Sequence, residues 1–391
     1  MIEKVTVSHL GLDSPRLKPV LVYLVTQDWY FMSHRVPMAR AAQRAGYDVH
    51  VVTHVDKHRA AIEALGFRLH AVDWRRGSVD PLAFLNSIRA VRRHYRAIAP
   101  DLIHHVALQP TIVGSLAASG LASVRLNALT GLGFVFTSAT LKARLLRPVF
   151  GFLLRYVLGN SRAAVLVENP DDRTAVKALG VADNRIFTIA GSGVETDKLT
   201  PLPEPPEPMT MAFAGRLLKD KGVRTLIEAY EILARRSQPV RLLIAGEPDR
   251  ANPASIPSKE IAEWSRRPGI TLLGHVADIR DVWKAAHIAV LVSHREGLPM
   301  SLLEAAACGR PIIASDVPGC RQVARAGVNA LLVPPADAGA LADAITQLSR
   351  DKGLRRKFGE AGRLMVESEY SAERVGTDIV TLYDQLLDCK R

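Results

Sequence analysis

Short, continuous apolar runs separated by helix-period stretches set the pattern of this chain. In the amino half, VLVYLVT (20–26), DVHVVT (48–53), FRLHAV (67–72), LIHHV (102–106), VRLNAL (124–129), AAVLV (163–167) and IFTIA (186–190) read as strands. These runs are apolar along their length and do not alternate every second residue, which points to parallel sheets covered on both faces. The segment KLTPLPEPPEPM (198–209) carries five prolines, can continue neither a helix nor a central strand, and is predicted to be the hinge. Beyond it MTMAFA (209–214), VRLLIA (240–245), ITLLG (270–274), HIAVLV (287–292), PIIAS (311–315) and ALLV (330–333) resume the alternation. The expected fold class is α/β, with two doubly wound, Rossmann-like domains facing a central cleft. The expected divisions are a flexible amino terminus (1–18), a first domain (19–197), a linker (198–209) and a second domain (210–370).

Composition narrows the class. A chain of 391 residues with 48% hydrophobic content can bury substantial cores. No apolar run reaches the roughly 18 residues needed to cross a bilayer, and the first 20 residues hold no signal-peptide core, so the cytoplasm is the expected location. Cys308, Cys320 and Cys389 form neither a disulfide framework nor a CxxC metal spacing. His50, His54 and His58 span a strand end and the turn after it and would not share a helix face, so no metal is expected. Most of the net charge of +12 falls in the first half. Between Trp74 and Arg162 twelve basic residues face two acids, Asp80 and Asp101. Such a field recruits polyanions: anionic lipid, nucleic acid or diphosphate-bearing substrates.

The candidate chemistry lies in the second half. Glu296 and Glu304, eight positions apart in REGLPMSLLEAAACGRPII, straddle the loop between the strand at 287–292 and the helix expected at 301–308. Loops at the carboxyl ends of strands are where ligands bind in open α/β sheets, and a helix N-terminus suits phosphate. Carboxylates there repel phosphate and are expected to accept hydrogen bonds from sugar hydroxyls. Upstream, Gly215 permits a tight exit from the strand at 209–214, and Arg216 and Lys221 bring two cations to the same mouth, able to clamp a diphosphate.

With these residues in place, the chain resembles the retaining glycosyltransferases of family 4, which have the GT-B fold. The matching segments are GRLLKDKG (215–222), LLIAGE (242–247), GHV (274–276) and EGLPMSLLEAAACGRPIIASDVPGCRQV (296–323), in the family's order and at its separations. The amino half matches more loosely through PDLIHH (100–105), NALTGLG (127–133) and GSGVETDKLTP (191–201), and looks most like bacterial enzymes that extend lipid-linked or envelope glycans. The resemblance implies a nucleoside-diphosphate-sugar donor held by the second domain, no metal cofactor, and a last helix at about 371–388 crossing back to the first domain. Glu296, Arg216, Lys221 and His105 are the implied catalytic residues. The implied donor site adds Gly215, Gly246, His275, Val276, Gly297, Leu298, Met300, Ser301, Leu302 and Glu304. Either His104 or His105 would point into the cleft, and His105 is favoured.

On the acceptor side, many relatives carry a Gly-Gly turn after the first strand, whereas this chain has QDWYFMSHR (27–35). That departure suggests an aromatic wall of Trp29, Tyr30 and Phe31, with Ser33 or His34 near the donor; an ordinary helix-start loop is the alternative. The turn in NALTGLG offers the backbone of Thr130, Gly131 and Gly133 to sugar or phosphate. Residues 134–158 combine bulky apolar side chains with Lys142, Arg144, Arg147 and Arg155 and contain no acid, which suits an interfacial position on anionic lipid. The expected activity is transfer of a hexose or N-acetylhexosamine from a nucleoside-diphosphate sugar, with UDP favoured. The acceptor is expected to be lipid-linked or a polysaccharide at the inner face of the plasma membrane, with no nucleic-acid partner. The alternatives are a nucleotide-sugar epimerase of similar fold and a basic membrane- or nucleic-acid-binding module.

Overall fold

The computed structural model describes residues 18–74, 80–129, 141–249 and 252–389, apart from the side chains of 141–147, 149 and 150. Thr130, Gly131 and Gly133, the segment 134–140 and nearly all of 1–18 lie outside the described residues.

Two parallel sheets form the frame. The first has seven strands: β1 (Val20–Gln27), β2 (Asp48–His54), β3 (Arg68–Ala71), β4 (Leu102–Val106), β5 (Val124–Ala128), β6 (Ala163–Val167) and β7 (Ile186–Thr188). Their order is β3-β2-β1-β4-β5-β6-β7. The second has six: β8 (Thr210–Ala214), β9 (Arg241–Ala245), β10 (Ile270–Gly274), β11 (Ile288–Leu291), β12 (Ile312–Ser315) and β13 (Ala330–Val333), ordered β10-β9-β8-β11-β12-β13. β4, β5, β6, β8, β11 and β12 are buried at every position. Covering helices on both sheet faces account for runs without alternation. In each sheet the strand order reverses once, between β1 and β4 and between β8 and β11. A doubly wound sheet opens a crevice beyond the carboxyl ends of the strands at such a switch point. The loops after β1, β8 and β11 therefore carry the residues that matter.

The chain passes between the lobes twice, side by side. Val194 N donates to Tyr370 O (2.8 Å) and Ala372 N to Val194 O (2.8 Å). From there the helix Ala372–Asp388 runs back onto the first lobe and packs on the helix Val36–Arg44, so closely that a Cβ at Gly376 would sit 2.7 Å from the Ala41 Cβ. Tyr383 anchors it: its hydroxyl lies 2.7 Å from the Tyr23 hydroxyl and 2.6 Å from His104 Nδ1, all inside the core.

The proline-rich segment differs from its expected role. Four arginines of the second lobe fasten it: Arg280 donates to Lys198 O (2.9 Å), Arg310 to Pro203 O (2.7 Å), Arg363 to Leu199 O, and Arg355 pairs with Glu204. Proline leaves carbonyls without matching N–H groups, and guanidinium donors satisfy them. The segment is a strap on the second lobe, and the interlobe passages lie at 191–194 and 370–372.

Candidate active site

β8 ends at Ala214, and the turn after it carries both expected cations. Lys221 closes a short 3-10 turn and Gly222 follows with φ +69°, ahead of the helix Val223–Arg235. A Cβ at Gly222 would lie 1.9 Å from Val292 O, so the turn after β8 and the end of β11 are in direct backbone contact. His294 N donating to Asp220 O (2.9 Å) ties the same two loops. The contact brings Lys221 Nζ to 2.6 Å from Glu296 Oε1, and Ser293 Oγ donates to that same oxygen at 2.6 Å. The Glu296 side chain is 8% exposed and that of Lys221 23%, a shielded pair whose disruption would leave an uncompensated charge.

Arg216 leaves the same turn toward the other lobe. Its Nη1 donates to Asp249 Oδ2 (2.8 Å), and its guanidinium carbon lies 5.6 Å from the centre of the Trp29 ring. Trp29 follows Asp28, a fully buried carboxylate that accepts from the backbone N–H groups of Trp29, Asp56, Lys57 and His58 at 2.7–3.0 Å. Those N–H donors hold the Asp28 carboxyl below its ordinary range against the opposing effect of burial. In effect Asp28 fixes the start of the helix Asp28–His34 and with it the tryptophan facing Arg216. His34 is stacked on Tyr30 (4.2 Å, 5°). Burial, then the charges of Arg35, Arg216 and Lys221, push its imidazole down to about 3, so it is neutral at physiological pH.

Glu304 lies in the helix Met300–Ala307, whose first turn is capped by no side chain. Burial raises its carboxyl to about 7, and no other cause offsets it. Leu298 packs at the rim against Gly191 of the other lobe, and Gly246 abuts Gly215, where a Cβ would meet Gly215 O at 1.9 Å. Val276 packs on the core of the second lobe, whereas His275 beside it is exposed after β10.

Several expected placements are corrected. His105 does not face the cleft: it is fully buried, with Nδ1 2.8 Å from Asn127 Oδ1 and Nε2 3.2 Å from the Tyr95 hydroxyl. His104 is equally buried on the opposite face, against Tyr383. β4 is the central strand beside the switch point and both its faces are covered, so alternation sends the two rings into two cores and neither into solvent. Burial pushes both imidazoles down, His105 to about 4. Phe31 belongs to the core, edge-on to Tyr23 and Phe67, which leaves Trp29 and Tyr30 of the expected wall. Leu302 is 1% exposed and packs into the core, so its side chain cannot line a donor site. Cys308 and Cys320 are buried packing residues. Asp249, Ser293 and Asn169 escaped sequence reasoning. Each is a small polar residue just past a strand, with no motif spacing to single it out.

The model of "Glycosyl transferases group 1" matches residues 194–365, and that of "Glycosyl transferase 4-like" matches 21–166, so each lobe is matched in turn. The chain is 24% identical over 380 residues to the N,N'-diacetylbacillosaminyl-diphospho-undecaprenol alpha-1,3-N-acetylgalactosaminyltransferase of Campylobacter jejuni, across 91% of this chain and 98% of that one. Among solved structures, sucrose-phosphate synthase from Thermosynechococcus elongatus superposes with a TM-score of 0.80 at 21% identity, covering 95% of this chain and 100% of that one. Anabaena HepE in complex with UDP and glucose superposes at 0.74 and 16% identity, covering 93% and 99%. These two likenesses establish the GT-B fold, as the paired parallel sheets do independently. The chain belongs to the group 1, family 4 glycosyltransferases.

Proposed function

We propose that this glycosyltransferase moves a hexose or N-acetylhexosamine, with retention of configuration, from a UDP-sugar to a lipid-linked or polysaccharide acceptor. The observation that carries the proposal is the convergence of Arg216, Lys221 and Glu296 on loops after β8 and β11, with Glu304 one helix turn further on. In this reading Arg216 and Lys221 neutralise charge developing on the leaving diphosphate. Such preorganised stabilisation contributes on the order of 3 kcal/mol per good donor. Both cations are paired with carboxylates, Arg216 with Asp249 and Lys221 with Glu296, so the diphosphate exchanges with those carboxylates for them. Glu296, released from Lys221, is then free to accept from hydroxyls of the transferred sugar, and Glu304 from the ribose. The acceptor hydroxyl attacks from the face the diphosphate leaves, giving its proton to a phosphate oxygen. No metal enters these steps.

Two relatives' names support the substrates. The Campylobacter enzyme is named for an undecaprenyl-diphosphate-linked acceptor, and the HepE structure holds UDP. We extend the acceptor proposal to an anionic membrane surface. No helix among the described residues is long and apolar enough to cross a membrane. Phe152 (71% exposed) and Tyr156 (65%) stand out from the helix Leu141–Leu158, and Leu82 (71%) from the start of Pro81–Ile98. Phe84 packs against the cluster that holds Leu154 and Val157, and both helices pack on the helix Leu108–Ala117 between them. Arg89, Arg93 and Arg96 continue the exposed side of Pro81–Ile98. Apolar side chains beside arginines favour an interfacial seat.

The deciding experiment incubates the protein with UDP-sugars and a polyprenyl-diphosphate-linked sugar. Release of UDP should require both, and the new linkage should keep the donor's anomeric configuration. Turnover of donor alone to an epimer would refute transfer, and an inverted product would refute the stereochemistry. Co-sedimentation with anionic vesicles that fades with salt supports the membrane seat; equal indifference to neutral and anionic vesicles would dismiss it.

A further inference from the structure

Asn169 follows β6 and caps the helix Pro170–Ala178, with its side chain almost wholly buried. Oδ1 accepts from Asp172 N (2.8 Å), while Nδ2 donates to Asp172 Oδ2 (2.9 Å) and to Gly297 O (3.2 Å). The last bond crosses from the first lobe to the loop of the second that carries Glu296. A second contact crosses beside it, since a Cβ at Gly191 would lie 2.1 Å from the Leu298 Cδ2. From its own side the loop is held equally close: a Cβ at Gly319 would meet Glu296 O and Gly297 O at 2.4 Å. Residues 296–298 are thus gripped from both lobes, and because the proline strap moves with the second lobe, any change of interlobe angle acts on this grip.

Helix capping accounts for one end of the Asn169 amide and leaves the other unexplained. Serine, threonine or aspartate would cap as well, but aspartate has no donor, and the hydroxyl of serine or threonine is a single atom one bond nearer the backbone, with no second polar atom reaching toward Gly297 O as Nδ2 does. We propose that Asn169 is a positioning residue, whose amide N–H latches the Glu296 loop when the lobes close and so ties sugar placement to the closed form. The proposal rests on the donor site described above. An unlatched loop would leave the donor less shielded, so water would compete better with the acceptor.

The test compares Asn169→Ser and Asn169→Ala with the wild type in three measurements: thermal midpoint, UDP affinity and transfer kinetics. Serine keeps the cap and should recover the thermal stability that alanine loses. Both variants should lose about tenfold in kcat, the value of one hydrogen bond of ordinary strength. Hydrolysis of donor relative to transfer should rise in both, with UDP affinity within about twofold of wild type. A serine variant with wild-type kcat would make Asn169 a helix cap and nothing more. UDP affinity falling in step with kcat would also overturn the proposal, because the residue would then act on donor binding and not on closure. A wild type that neither binds UDP nor turns over a UDP-sugar would instead bring down the donor-site assignment, and the latch with it.

Discussion

Replacing Glu304 by glutamine removes a charge that burial disfavours. Burial lifts this carboxyl from its ordinary 4.5 to about 7. At about 1.4 kcal/mol for each tenfold change in acidity, that rise sets a ceiling of about 3.5 kcal/mol. Solvent screening at a partly exposed residue lowers the expectation to ~1–3 kcal/mol. The sign follows from the folded value lying above the unfolded one: the carboxyl's contribution is fully present below pH 4.5 and is lost as pH rises to 7. Glu304→Gln abolishes that loss. Urea unfolding at pH 5 and at pH 8 should therefore show the variant gaining about 1–3 kcal/mol on the wild type between the two conditions. UDP binding adds a second arm. If the ribose hydroxyls need the ionised carboxylate, wild-type affinity rises about tenfold from pH 6 to pH 8, as a group of pKa 7 goes from about a tenth to nine-tenths ionised. The variant, titrated with the same nucleotide, carries only the phosphate's own ionisation and serves as the reference. Stability profiles that run parallel for the two proteins would refute the assignment of a carboxyl raised by burial.

Three further outcomes test the cationic side and the interlobe anchor. Lys221→Met should reduce transfer kcat/KM by roughly a hundredfold or more, the effect of one preorganised donor lost together with the buried partner of Glu296, as read from steady-state UDP release. Asp249→Asn should tighten UDP binding severalfold in calorimetry, since Arg216 is then no longer held at 2.8 Å by a competing carboxylate; weaker binding would show that Asp249 orients Arg216 for the nucleotide. Tyr383→Phe should cost about 1–3 kcal/mol in chemical denaturation, because His104 Nδ1 loses its buried partner, while UDP affinity stays unchanged.

Much of the frame was legible because β-strands buried on both faces must be apolar throughout. β6 lies where AAVLV stands in the sequence, β8, β11 and β12 lie within MTMAFA, HIAVLV and PIIAS, and both switch points follow from the βα alternation. The pairing of Lys221 with Glu296 was legible only as two groups after two strands. Bringing them to 2.6 Å needed the β8 and β11 loops to meet at Gly222, a contact between residues 70 apart in sequence. His105 misled for a related reason: the residue type suggested chemistry, but whether a strand-end side chain meets solvent depends on which helices cover it. The strap was misread because proline excludes regular structure without implying freedom, and the arginines that fix it come from positions distant in sequence. Asn169 was invisible, since its role depends on a carbonyl in the other lobe.

The most direct test of the central claim is a crystal structure with UDP bound. The diphosphate should lie between Arg216 and Lys221, each displaced from its present carboxylate, with the ribose hydroxyls on Glu304. A nucleotide seated elsewhere, with the Lys221–Glu296 and Arg216–Asp249 pairs intact, would contradict it.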